Sequence, residues 1–183
     1  MSYTVSKTNL PGVLILEPRV VNDDNGFVFE CFNQRDFNQA IGSDVNFVQD
    51  NHSKSAKGVL RGLHYQIQHP QGKLVRITNG TVFDVAVDLR RSSPNFGKWV
   101  GVEISAENKR QVWIPPGFAH GFIVTSESAE FLYKTTDYWY PEYERCLLWS
   151  DSTVGINWPI AGTPKLASKD IAGKVLAEVD VFD

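Results

Sequence analysis

Cysteine is scarce in this chain: Cys31 and Cys146 stand far apart, and neither belongs to a CxxC pair. A zinc knuckle or a disulfide framework needs more thiols at closer spacing, so neither organises the fold and two free thiols are expected. A dominant charge of one sign is also lacking. Eighteen Lys and Arg against 21 Asp and Glu leave a formal charge of -3 with the signs interspersed, so there is no basic stripe for sequence-independent nucleic-acid binding. No uninterrupted apolar run is long enough to span a bilayer, and the opening MSYTVSKTNLPGVLILEP lacks the charged and then apolar segments of a secretory leader. A soluble cytoplasmic protein with no membrane or nucleic-acid partner is expected. Internal repeats, linkers and low-complexity tracts are missing too. The 183 residues, 42% of them hydrophobic, suffice for one domain, 1–183, with a core of its own.

What the chain does have is short apolar or alternating runs between turn signals, the pattern of an all-β sandwich or barrel. Strands are expected at 13–16, closed by Pro18, and at 27–32, 59–66, 73–78, 81–89, 99–104, 111–114, 122–124 and 129–135. Asp23-Asp24-Asn25-Gly26 reads as a tight turn, because Asn and Gly tolerate positive φ. Two short helices are expected. One has Asn33 as its cap, Phe37, Ala40 and Ile41 at helical spacing and Gly42 as its stop; the other starts at a Ser168 cap and runs through Asp170 and Ile171 to Val175. An all-β, two-sheet jelly roll with a few short helices accommodates these elements best.

Regular alternation in 59–66 puts Gly62, His64 and Gln66 on one face and Arg61, Leu63 and Tyr65 on the other. In 81–89, Phe83, Val85, Val87 and Leu89 form the apolar face, and Asp84 and Asp88 lie opposite, where a solvated position is expected for Asp88. A lone strand histidine is more often a hydrogen-bonded structural group than a catalyst. His64 gains weight from its company: Gln66, Lys73 and, after the Pro-Pro-Gly turn of WIPPGFAHG, His120 can converge in one barrel mouth. Taken singly, Lys73 reads as a surface cation beside a turn, Tyr133 as a packed strand residue and Asp170 as a first-turn helix carboxylate.

The order His64-x-Gln66, Lys73, Gly80, then Pro115 or Pro116 with Gly117 and His120, resembles the two-part signature of cupins. Metal-binding cupins carry HxH and a glutamate in the first part and one more histidine in the second. Here two of those four ligands are replaced, and a lysine ammonium stands near the carboxylate position. A cation there opposes a divalent metal, so no metal cofactor is expected.

In FVQDNHSKSAKGVLRGLHYQ (47–66), the long block 71–122 from QGKLVRITNG to WIPPGFAHGF, EFLYKTTDYW (130–139), LASKD (166–170) and LILEPRV (14–20), the chain resembles the dTDP-4-dehydrorhamnose 3,5-epimerases, a cupin-fold family. The resemblance implies epimerisation of dTDP-4-dehydro-6-deoxy-D-glucose at C3 and C5, in dTDP-L-rhamnose biosynthesis, without a cofactor. It implies His64 as base, Asp170 as the group that holds its tautomer, Lys73 as stabiliser of the enolate, His120 as its helper and Tyr133 as acid on the opposite face. It further implies Arg61, Glu30, Gln49, Asn51, Glu144 and Lys169 as substrate-binding residues, and Phe27 and Tyr138 as aromatic shelves for the thymine; as regular parity points Arg61 away from His64, either the strand is bent or bulged there or Arg61 serves another part of the site. The family usually has arginine where this chain has Asn25, and it forms homodimers that exchange N-terminal strands. Two other outcomes stay open on the same residues: an epimerase of a single carbon on a related dTDP-keto-deoxysugar, and a non-catalytic sugar-binding cupin.

Overall fold

A computed structural model describes residues 3–183; Met1 and Ser2 of the expected domain lie outside the described residues. Thirteen strands occur, in the order Tyr3–Lys7 (β1), Leu14–Pro18 (β2), Val21–Asp23 (β3), Gly26–Val28 (β4), Gln49–Ala56 (β5), Leu60–Gln66 (β6), Lys73–Asn79 (β7), Thr81–Asp88 (β8), Trp99–Ser105 (β9), Gln111–Ile114 (β10), Phe118–Val124 (β11), Ser128–Thr135 (β12) and Glu144–Cys146 (β13). Helix Gln34–Ile41 (α1) precedes β5, and Ser168–Ile171 (α2) lies near the C-terminus. Six strands form one sheet, β1-β2-β10-β7-β12-β5, and five form a second, β13-β6-β11-β8-β9; β3 and β4 make a separate hairpin. This is the two-sheet jelly roll expected from the strand pattern, and the resemblance implies a cupin-like one. Among the described residues, no helix is long and apolar enough to cross a membrane.

The inner faces of both sheets supply the central core: Val75 and Ile77 from β7, Val82 and Ala86 from β8, Ile104, Val112, Phe122 and Phe131. The same face of β8 carries Asp84 and Asp88, which are therefore buried, at 2% and 0% exposure. This corrects the expectation of a solvated Asp88. Its carboxylate accepts hydrogen bonds from Arg90 Nε at 3.0 Å, Arg90 Nη2 at 2.9 Å and Ser93 Oγ at 2.6 Å. Burial would raise its pKa, but these bonds hold it below the usual carboxylate range. The apolar face of β8 looks the other way, onto a second cluster with Leu147, Val154, Trp158 and Val179 from the C-terminal segment. Both faces of the strand are covered, so alternation alone could not say which pointed into the barrel.

Helix α1 forms as expected: the Asn33 side chain accepts from the Asp36 N–H, Gly42 closes the helix in the left-handed region, and Phe37 is buried. Other boundaries differ. The strand expected at 27–32 stops at Val28, and Ser168 is the first residue of α2 rather than its cap, which is Ala167; the helix ends at Ile171, before Val175. Strand β5, QDNHSKSA, carries almost no apolar residues and was not expected. Its half-buried positions Gln49, Asn51 and Ser53 face a polar cleft, so no hydrophobic alternation marks it.

Candidate active site

Between the two sheets lies a cleft of about 380 Å³. One wall comes from the six-stranded sheet, with Gln49, Asn51 and Ser53 of β5, Lys73 of β7, and Phe131 and Tyr133 of β12; the other carries Arg61, His64 and Gln66 of β6 and His120 and Phe122 of β11. Trp139, Glu144 and Lys169 line it as well.

Arg61 and His64 are three residues apart, and regular alternation would send them to opposite faces. They share the cleft because the pairing of β6 with β11 slips: His64 faces His120 but Arg61 faces Phe122, so β6 spends one more residue than its partner. That is a β-bulge, and it replaces the regular parity expected for 59–66. Gly62 permits it. Its φ is +127°, and a Cβ there would stand 2.6 Å from Gly121 Cα and 2.8 Å from the His120 carbonyl oxygen.

His64 is partly exposed to the cleft and donates through Nε2 to Asp170 Oδ1 at 2.5 Å. Asp170, on α2, is 1% exposed and sits behind the ring. The bond places the proton on Nε2 and leaves the Nδ1 lone pair free to accept one. Cys146, directly across from His64 in the β6–β13 pairing, has its sulfur 3.9 Å from the same Asp170 oxygen. Burial, with the Asp170 charge adding to it, pushes this thiol up to about 12.

Lys73 is the group least explained by packing. It is 7% exposed, and among the described residues its ammonium makes no ion pair or hydrogen bond. Burial pulls its pKa down to about 8, against the opposing pull of Glu144 and Asp84. His120 Nε2 donates to Asp84 Oδ1 at 2.7 Å, with both side chains buried. Burial lowers the His120 pKa in spite of Asp84, which favours the neutral imidazole. Asp84, which strand parity set only opposite the apolar face of its strand, is thus a buried partner within the site.

Tyr133, held on β12 between Val75 and Asn51, faces the cleft from the sheet opposite His64. Burial raises its pKa, and the Glu144 charge adds to the rise, so the phenol keeps its proton at neutral pH. At the rim, Glu144 accepts from Lys169 Nζ at 2.6 Å and from Trp139 Nε1 at 2.9 Å; these bonds outweigh burial and lower its pKa. Gln49 Oε1 accepts from the Trp139 N–H, and Gln49 Nε2 donates to Asn51. Gln66 is spent on the backbone: it donates to the carbonyls of His69 and Tyr138 and accepts from the Tyr140 N–H, which fixes the loop that carries Trp139.

Ten of the residues singled out in the sequence therefore line one cleft: Arg61, His64, Gln66, Lys73, His120, Tyr133, Gln49, Asn51, Glu144 and Lys169, with Asp170 immediately behind. Three do not. Phe27 is 59% exposed on the β3–β4 hairpin, under Lys109 Nζ, Glu30 is exposed just beyond it, and Tyr138 is 54% exposed with its ring outside the cleft lining. Asn25 occupies the hairpin turn, its N–H bonded to Asp23 Oδ1. Sequence reasoning missed Trp139 and Asp84 as site residues; the only available signal was that both fall inside the blocks quoted above.

A sequence profile described as dTDP-4-dehydrorhamnose 3,5-epimerase matches residues 7–178. The protein of that name from Pseudomonas aeruginosa is 64% identical over 173 residues, 94% of this chain and 96% of that one. Among solved structures, dTDP-6-deoxy-D-glucose-3,5-epimerase from Legionella pneumophila, in complex with dTDP-4-keto-L-rhamnose, is 49% identical, with a TM-score of 0.95 over 97% of this chain and 95% of that one. A 3'-monoepimerase from Streptomyces bikiniensis, in complex with dTDP-quinovose, is 32% identical with a TM-score of 0.87, over 93% and 86%. With the profile and these relatives spanning nearly its whole length, the chain belongs to the dTDP-4-dehydrorhamnose 3,5-epimerase family, a group of isomerases.

Proposed function

We propose that this chain epimerises dTDP-4-dehydro-6-deoxy-D-glucose at C3 and C5 to dTDP-4-dehydro-L-rhamnose, with His64 as base, Lys73 as enolate stabiliser and Tyr133 as acid. The observation that carries this reading is a buried, unpaired lysine in a cleft whose facing walls hold a His-Asp dyad and a protonated tyrosine. His64 Nδ1 takes the proton from a carbon next to the C4 ketone, and the electron pair moves onto the C4 oxygen. The Lys73 ammonium is placed to meet that charge, and neutral His120, steadied by Asp84, assists at the same oxygen. Tyr133 returns a proton from the opposite wall and is reprotonated from solvent. Substrate and product are isomers, so protons balance and no electrons are exchanged.

Asp170 keeps the His64 tautomer and orientation. Arg61 and Lys169 supply cations for the diphosphate, and Gln49, Asn51 and Glu144 contact the nucleotide sugar. Phe27, on the β3–β4 hairpin, and Glu30, just beyond it, lie outside the lining of their own cleft, and Val21 and Val28 on the same hairpin are 52% and 68% exposed. We read this as the exchanged arm of a homodimer that delivers those residues to the other protomer, with Tyr138 completing the thymine shelf. The reading treats 1–183 as one cytoplasmic domain.

Likeness to a 3'-monoepimerase favours a second reading, proton exchange at one carbon only. Deuterium incorporation into the substrate in D2O, followed by NMR, separates the two. Exchange at C3 and C5, abolished in His64→Ala, is the expected result. Exchange at one carbon selects the second reading, and none in the wild-type protein removes both.

A further inference from the structure

The mechanism leaves Cys146 unused, although the thiol stands beside the His64–Asp170 dyad. One donor atom each from His64, Cys146 and Asp170 lies within 4.8 Å of the others. An imidazole nitrogen, a thiolate sulfur and a carboxylate oxygen are the three donor types that bind zinc, at roughly 2.0–2.3 Å in tetrahedral sites. At those bond lengths a nitrogen and an oxygen on one zinc are about 3.3 Å apart. Side-chain rotations therefore have to open the His64–Asp170 contact from 2.5 Å and draw in the sulfur, now 3.9 Å from the oxygen. His64 lines the cleft with its side chain 22% exposed, and Cys146 is half-buried.

A second observation points the same way. Asp170 is 1% exposed, yet its Oδ2 has no hydrogen-bond partner, and a buried carboxylate oxygen without a partner is uncommon. A divalent cation on this carboxylate compensates the buried charge that the dyad leaves half satisfied.

We propose that His64 Nε2, Cys146 Sγ and Asp170 Oδ1 form an inhibitory site for a thiophilic divalent cation, zinc. On binding, the Cys146 thiol proton leaves to solvent as the Zn–S bond forms. The Nε2 proton of His64 shifts to Nδ1 as the Zn–N bond forms, so the ring keeps one proton and loses the lone pair that faces the substrate. Zinc here is an off switch rather than a cofactor, and the inhibition rests on the epimerase reading above.

The test loads metal-free protein with Zn2+ in chelator-buffered solution and follows the epimerase rate, then repeats this with Cys146→Ser. We expect one equivalent to abolish turnover, a chelator to restore it, and Cys146→Ser to keep its metal-free rate while needing at least about tenfold more free zinc, since even outer-shell changes cost about that much. Equal sensitivity of the variant overturns the proposal. A second readout is independent of activity and of any variant: Co2+ bound to wild-type protein should show a thiolate-to-cobalt charge-transfer band in the near ultraviolet. A cobalt spectrum without that band overturns the site even if zinc inhibits. If the metal-free protein has no epimerase activity, the functional reading fails, and the cobalt band still decides the site.

Discussion

An ammonium group at 7% exposure without an ion-pair partner costs the fold stability in return for chemistry, and at Lys73 both sides can be measured. Its folded pKa, about 8, lies below the ordinary 10.5. Between those two values the unfolded chain binds more protons than the folded one, so the stability contributed by this group rises with pH across that window; below pH 8 the penalty is complete. Lys73→Met should therefore stabilise the protein at neutral pH by on the order of 3 kcal/mol, at 1.36 kcal/mol per pKa unit between 10.5 and about 8. Urea unfolding at neutral pH should show this gain, and it should shrink near pH 10. The same variant should lose about 100-fold or more in turnover, the usual loss for one preorganised donor to a developing oxyanion. Because the enolate needs the charged amine, wild-type kcat/KM should also fall as pH rises through about 8, and the residual rate of Lys73→Met should lack that alkaline limb. Stability unchanged by the substitution would remove the argument that burial depresses this pKa.

At the scale of elements, the bulge in β6 decides what the site contains. The extra residue between Arg61 and His64 turns the diphosphate candidate and the proposed base toward one cleft, and close approach to Gly121 leaves no space for a side chain at Gly62. Gly62→Ala should cost roughly 2 kcal/mol or more in thermal unfolding, because the new Cβ meets backbone atoms and the residue holds a left-handed φ. Activity should fall further than the folded fraction, since the strand must shift the base to admit the methyl group; activity that tracks folded protein alone would separate the bulge from positioning. The two glycines are legible in RGLH and AHG, and the sequence leaves a bend or bulge at Arg61 as one of two alternatives; the pairing with β11, not local preference, decides for the bulge. Helix α1 shows the contrary case: its cap, apolar spacing and stop are local, and the expected bounds hold within a residue. Strand β5 escaped notice because its half-buried side faces a polar cleft, where hydrophobic periodicity has nothing to report.

For the whole molecule, the exposed β3–β4 hairpin is the feature a lone chain explains least. Val21, Phe27 and Val28 present apolar surface there while the arm pairs with neither large sheet. Light scattering after size exclusion should give twice the chain mass of 20.6 kDa. Val28→Glu should shift the protein toward monomer and lower activity at the same time, because Phe27 and Glu30 then reach no cleft. A monomeric wild type with full turnover would refute the exchanged arm.

Sequence by itself determined the fold class, most strand positions, α1 and, through the matched blocks, the membership of the family. These rest on side-chain periodicity, turn chemistry and residue identity, which are written along the chain. Tertiary structure alone decided which way the polar residues face. Asp84 and Asp88 went inward because a C-terminal segment covers the other side of β8. Asp170 met His64 across 106 positions of the chain, and Lys73 changed from an apparent surface cation to a buried one only when two sheets closed over it. Charge placement, and with it the reactivity of the site, depends on what covers each face, and that is a property of the packed molecule.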